Sequence, residues 1–345
     1  FVIPPHGNAA MTSLVLTQSD CLLRFEGSSM EGRTAHLRFE NMTFTHTSAS
    51  FFHQHEESSG GDYAVTRSAA IVAENASSIT ISGCDFMHIG GNAVVLSNSV
   101  NNVSITRNHM SFLGTSGVLL IGRTGRALMD ARDGEAMVAA AFAAGAVDPA
   151  AADNGVRLPR DNSVTFNIIH DYGIWDKQSA AFHKALAPGN EFSWNIVFNA
   201  SRHGVNFQDS MGGGGVVDGN VFFSLNRETH DTAALNSWGR RNYLFSGSNA
   251  EDEPSTPQLI PSTLNSWRNN LILARPLGLG PTDAGDFYSH ANCLRCDDGA
   301  SWYNMTANVC VGASSAMEFN GGTQVFTQDN LFVQGGWTLC ASPPT

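Results

Sequence analysis

Short β-rich apolar runs recur along the chain, each ending in a polar anchor, usually Asn, with a second apolar run after it. Ser78-Ile-Thr-Ile-Ser-Gly-Cys84, Val103-Ser-Ile-Thr-Arg-Asn108, Ser163-Val-Thr-Phe-Asn167, Phe192-Ser-Trp-Asn195 and Val216-Val-Asp-Gly-Asn220 follow this pattern. So do Trp267-Arg-Asn-Asn270, Tyr303-Asn-Met-Thr-Ala-Asn308 and Val325-Phe-Thr-Gln-Asp-Asn330, and Leu37-Arg-Phe-Glu-Asn41 keeps the same phase. Anchor spacings are 24 from Cys84 to Asn108, then 28, 25, 50, 38 and 22 from Asn167 to Asn330. They cluster near 25, and the interval of 50 reads as two coils. A leucine-rich repeat of similar period needs a Leu-x-x-Leu-x-Leu frame, which is absent. Val, Ile, Phe and Thr between Gly and Asn suit strands instead. The expected fold is all-β, a right-handed parallel β-helix whose anchors stack into an Asn ladder. At about 4.8 Å per strand, roughly ten coils make a rod about 50 Å long.

Three segments break the period. Arg126 to Pro159 is Ala-rich and reads as a helical insertion; Ser246 to Pro261 is Ser-, Pro- and acid-rich and reads as an exposed loop. Ala274 to Asp298 carries two cysteines. Nothing points to a second domain, so residues 1–345 are read as one β-helix with insertions at about 126–159, 246–261 and 274–298.

Composition narrows the partners. Charged residues make up 14% and the net charge is −12, which argues against nucleic acid. No apolar stretch approaches the roughly 18 residues of a membrane span. Sequons at Asn41, Asn75, Asn102, Asn199 and Asn304, together with six cysteines, predict an extracellular protein with N-glycans at those positions. The chain starts at Phe1, which reads as a processed or excised start.

The densest polar stretch runs from His170 to Arg241. Counting from the anchors stacks Gln178, Asn206 and Asp231 beside Arg202 and Arg227. Aligning Gly204-Val-Asn-Phe-Gln-Asp209 with Ala234-Leu-Asn-Ser-Trp238 pairs Asn206 with Asn236 instead. Either register keeps Asp231 within about one coil of Arg202 and His203. An ordinary polar outer face is the bland account of both. Disulfides are expected among Cys293, Cys296, Cys310 and Cys340, whose pairing sequence cannot choose, with Cys21 and Cys84 a separate pair. Gly212 to Gly215 lacks the residues of a phosphate loop and reads as a tight turn. His53-Gln-His55-Glu56-Glu57 has metal-capable side chains but reads as a solvated loop, and His170-Asp171 and His183 as structural histidines. No metal or other cofactor is expected.

The runs Asn199 to Asn206, Gly212 to Asn220, Arg227 to Asp231 and Leu235 to Arg240 resemble the pectate-lyase-like β-helix superfamily. Within it they are most similar to β-helix glycoside hydrolases of the fucosidase and xylosidase type. Cys296-Asp-Asp-Gly299 and Phe319-Asn-Gly-Gly322 match that group's later coils, and the resemblance covers about residues 162–335. It implies a pair of catalytic carboxylates: Asp231 first, Asp297 or Asp298 second, with Glu228 a nearby spare. Arg202, Arg227 or Lys177 would tune one of them, beside His203. Trp238 would stack a sugar, and Asn206 and Asn236 would bond hydroxyls. Thr232 stands where that group has Gly after the Asp, and the insertions at Ser246 and Ala274 stretch the interval from Asp231 to Asp297. The implied partner is a polysaccharide or glycan. The rival expectation is a non-catalytic structural glycoprotein of an extracellular filament, wall or flagellar-hair assembly, engaged in self-assembly or with partner chains.

Overall fold

The computed structural model describes residues 15–28, 32–57, 63–122, 158–208, 213–229, 231–239, 244–246, 258–260, 263–274, 291–333 and 336–340. The predicted helix over 126–159 falls almost wholly outside them, and among the described residues there is no helix.

Among these residues, three parallel sheets wind along one axis. Sheet 1 has ten strands, from Leu23–Glu26 to Gly336–Cys340; sheet 2 has nine, from Thr34–Glu40 to Val325–Gln328; sheet 3 has nine, from Thr43–Thr45 to Leu331–Val333. A coil such as Ala69–Glu74, Ala76–Ser82 and Asp85–Ile89 gives one strand to each in turn. Inward rows fill the interior. Phe86, Met110, Ile169, Val197, Phe222, Ile272 and Cys310 line the inside of sheet 3, each at 1% exposure or less.

The corner between sheets 2 and 3 is built alike in coil after coil. Its first residue is left-handed: Arg107, Phe166, Trp194, Asn269, Ala307 and Asp329 have φ of 55–59°, and Gly83 and Gly219 take the same place. The next residue is the anchor. Each buried Asn amide donates to the Oδ1 of the Asn one coil on, from Asn108 through Asn167, Asn195, Asn220, Asn270 and Asn308 to Asn330, at 2.9–3.1 Å. That oxygen also accepts the backbone N–H of the previous anchor, and the amide bonds a carbonyl one coil back. Left-handed backbone costs a non-Gly residue roughly 1–2 kcal/mol. The ladder offsets this by satisfying polar groups that the corner buries.

Asn220 bonds Asn270 directly, so the interval of 50 is one coil with a long insertion, not two. The flanks of that insertion, Leu244–Ser246 and Gln258–Ile260, form an antiparallel hairpin. Ala291–Asp297 pairs with Thr232–Trp238 in sheet 1, so the end of the 274–298 segment belongs to a coil. Of the expected turn over Gly212 to Gly215, Gly212 lies outside the described residues; Gly213 and Gly214 are left-handed, with φ of 57° and 68°, and a Cβ on Gly213 would lie 1.6 Å from the Thr263 carbonyl oxygen.

A disulfide crosses the interior, Cys293 to Cys310. The expected Cys21–Cys84 bridge is not formed. Cys84 is a buried thiol facing the Phe39 and Ser82 carbonyls, while Cys21 lies against Leu23. Cys296 is a buried thiol as well, raised well above the usual thiol range by burial and then by Asp297.

Candidate functional site

The outward face of sheet 1 carries the candidate site. Val95, Leu119, His183, Asn206, Asn236, Arg295 and Glu318 share one row, coil by coil. Gln208, Trp238 and Asp297 share the row two residues on. The register that pairs Asn206 with Asn236 is therefore the one adopted. Gln178 is not in it; it accepts from Arg202 at 2.9 Å.

The first row passes from apolar to amide to charged. Tyr63 and Val65 cover Val72, Val95 and Leu119 as a small second core, and the Tyr63 ring stacks on His183 at 4.5 Å. Burial, and then the Arg202 charge, hold His183 down to about 3. Asn206 lies between this neutral ring, 3.1 Å from its Nδ1, and the Asn236 amide, which donates to Asn206 Oδ1 at 2.8 Å. His203 is likewise buried and held well below its ordinary value by burial, then by Arg202. Its Nδ1 is 2.6 Å from Thr232 Oγ1.

The charged end centres on Arg295, which is 5% exposed. Its Nη2 binds Asp231 Oδ1 at 2.5 Å and Asp297 Oδ2 at 2.9 Å, and its Nε binds Glu318 at 3.3 Å. Nη1 donates to the Asp231 carbonyl. One nitrogen thus holds both aspartates, and their facing oxygens can be no further apart than those two bonds laid end to end. Asp297 Oδ1 also accepts from the Asp298 N–H at 2.9 Å and the Asn320 amide at 2.8 Å. Asp231 stands at the rim, its side chain 81% exposed against 12% for Asp297.

The other expected site residues are engaged elsewhere. Asp298 accepts from Trp238 Nε1 at 2.7 Å, and Trp238 is 4% exposed, so it offers no ring face to a sugar. Glu228 pairs with Lys177 at 2.7 Å, Arg227 donates to Asn199, and Arg202 lies over the Tyr63 ring at 5.5 Å. The cation beside the aspartates is therefore Arg295 rather than Arg202, Arg227 or Lys177. Asn206 and Asn236 are buried in their relay rather than presented to solvent.

Arg295 and Glu318 are missing from the sequence expectations, although a signal for them exists. Gly204-Val-Asn-Phe-Gln208 and Ala234-Leu-Asn-Ser-Trp238 continue as Cys293-Leu-Arg-Cys-Asp297 and Ala316-Met-Glu-Phe-Asn320. Carrying the alignment two coils further puts Arg and Glu in the Asn row. Near the start of the chain, His53, His55 and Glu56 pair separately with Asp20, Asp176 and Arg67. Among the described residues, no three His, Cys, Asp or Glu side chains gather as a metal site.

No protein-family model matches the chain, and no curated protein matches it. Solved structures do. A protein described as a glycoside hydrolase aligns with a TM-score of 0.60 at 14% identity, covering 92% of this chain and 51% of the other. This chain is a right-handed parallel β-helix. An alginate lyase from Paenibacillus sp. str. FPU-7 aligns at 0.52 and 12% identity, covering 93% and 90%. A Streptococcus pneumoniae surface protein and adhesin, PfbA, aligns at 0.46 and 13%, covering 94% and 82%. The β-helix spans about half the length of the glycoside hydrolase it matches. At these identities the likeness is one of fold.

Proposed function

We propose that this β-helix is a secreted carbohydrate-active protein, a glycoside hydrolase working through Asp231 and Asp297. The observation that carries the reading is the convergence of these two carboxylates, far apart in sequence, on one guanidinium nitrogen. Facing oxygens at 2.5 Å and 2.9 Å from a shared nitrogen are close neighbours. Such closeness suits a retaining enzyme, where carboxyl groups sit about 5–5.5 Å apart, better than an inverting one at about 6.5–9.5 Å. Asp297, fixed by three donors, attacks the anomeric carbon as the glycosidic bond breaks. Asp231, exposed at the rim, takes up a proton from solvent at Oδ2, the oxygen that Arg295 Nη2 does not hold, and gives it to the departing oxygen. Asp231 then takes a proton from water as that water cleaves the glycosyl ester, which regenerates both groups. Arg295 holds the two in register. Two of the structures sharing the fold are described as a glycoside hydrolase and an alginate lyase, which agrees with a polysaccharide ligand. The Cys293–Cys310 disulfide agrees with an oxidising compartment. Of the five sequons, Asn41 and Asn102 are the exposed ones and the first candidates for N-glycans.

The test is release of reducing ends from a polysaccharide panel. Asp231→Asn and Asp297→Asn should each lower kcat/KM at least 100-fold, and the exposed Asp231→Asn should leave the melting temperature within a degree or two. Saccharide binding without turnover, in the parent and in Asp231→Asn alike, would make the protein a binding module.

A second reading, a structural glycoprotein, is favoured by the outward face of sheet 3. Ile168, Ile196, Leu331 and Val333 stand there 40–56% exposed, as on surfaces that meet another chain. Neither turnover nor binding across the panel would promote it.

A further inference from the structure

The proposed hydrolytic site leaves unused a group of side chains on the outside of sheet 3. Asp85 and His109 stand on neighbouring strands of one outward row. His170 is in the next coil, opposite Ser111. The two imidazoles meet tip to tip, Nε2 to Nε2 at 2.8 Å. Each has a carboxylate at its other nitrogen: Asp85 Oδ1 lies 3.3 Å from His109 Nδ1, and Asp171 Oδ2 lies 2.6 Å from His170 Nδ1. Asp171 is itself held by the Asn199 amide, and the His170 ring is braced flat against Phe198 at 4.5 Å.

The hydrogen-bond count explains why this arrangement is unusual. A carboxylate can only accept, so the proton of each neutral ring belongs on Nδ1. Both Nε2 atoms then present lone pairs to each other. A proton shared between the two Nε2 atoms satisfies both at this distance, and so does a metal ion placed between them. A carboxylate behind each ligating imidazole is also the arrangement that fixes the tautomer and raises the basicity of a metal-bound histidine.

We infer that His109 and His170 form a two-imidazole site for a borderline divalent transition metal such as Zn2+, with Asp85 and Asp171 orienting the rings and water filling the remaining positions. This goes beyond the carbohydrate reading and rests on a different sheet. It also departs from the sequence expectation of no metal. Zn–N bonds of about 2.0–2.1 Å at a tetrahedral angle place the nitrogens roughly 3.3 Å apart. Rotation of His109, whose side chain is 39% exposed, supplies the few tenths of an ångström required. His170, 16% exposed and stacked, is the fixed half. The two ligands lie on either side of residues 123–157 in sequence, so a bound ion would tie the coil before that segment to the coil after it.

Calorimetric titration of the full chain with Zn2+ tests the site. One ion per chain is expected, with affinity falling at least tenfold in His109→Ala and in His170→Ala. Asp171→Asn should weaken it by about 10–100-fold, the range for such supporting carboxylates. Zn2+ should raise the melting temperature of the parent and not that of His109→Ala, whose exposed position leaves the fold intact. The inference is overturned if the parent takes up no Zn2+, or if His109→Ala binds it as tightly as the parent.

Discussion

Over the last coils, sheet 1 turns Asn236, Arg295 and Glu318 outward, while the same coils of sheet 3 turn out Leu271, Val309 and Leu331. Both sheets are built of parallel strands, and both turn apolar rows into the interior. On sheet 1 the outward side chains are polar, buried and bonded to one another across coils. On sheet 3 the row from Ile168 through Ile196, Val221, Leu271 and Val309 to Leu331 is apolar, beyond the His109–His170 group of the same sheet, and Ile168, Ile196 and Leu331 remain 41–56% exposed. Interior rows and the Asn ladder specify the coil, so outward positions are released for other purposes. A face whose side chains depend on each other should be costly to alter. A row of independent, solvated side chains should not.

The sharpest way to break the contrast is Arg295→Met. It strands Asp297 and Glu318 without their cation and is expected to cost about 3–5 kcal/mol in denaturant unfolding. A loss below about 1 kcal/mol, the scale of an exposed ion pair, would mean that the sheet 1 network is as dispensable as the sheet 3 surface.

Next comes the inner side of sheet 1. Lys184 is buried with its Nζ 4.0 Å from the centre of the Phe207 ring and 3.3 Å from Asn265 Oδ1, and burial lowers it from 10.5 to about 7. Between those values the unfolded chain holds the proton and the folded one does not. Stability therefore falls as pH drops from about 10 to 7, then levels off. About 3 kcal/mol should separate pH 9.5 from pH 7 at 1.36 kcal/mol per unit. Lys184→Met should remove that slope, and a slope that persists would assign it elsewhere.

Asn220→Ala tests what both faces share. It leaves the buried Asn195 N–H and amide without their acceptor and the Phe192 carbonyl without its donor, at about 1–3 kcal/mol. Smallest is Ile196→Thr on sheet 3, expected within about 0.5 kcal/mol of the parent. A loss several times larger in the isolated chain would show that this face is packed rather than exposed.

Much of the site was within reach of the sequence once the register was right. Asn236 beneath Asn206 follows from aligning strands, and the same alignment carried on reaches Arg295 and Glu318. Trp238 was not readable as buried. An aromatic at an outward position looks identical on paper whether it faces solvent or, as here, lies buried with Nε1 on Asp298.

The sequence by itself determined the coil. Strand, left-handed corner and Asn anchor are local features, repeated with a short period, and each repeat meets only its neighbours. The ladder from Asn108 to Asn330 could be named before any coordinate. Tertiary structure alone decided whatever depends on how far insertions displace the count. It made the interval from Asn220 to Asn270 one coil, joined Cys293 to Cys310 while leaving Cys21 and Cys84 apart, and gave Asp231 and Asp297 to Arg295. Hydrogen bonds, ion pairs and disulfides act over a few ångströms of space, and chain separation does not report that distance once loops of unequal length intervene.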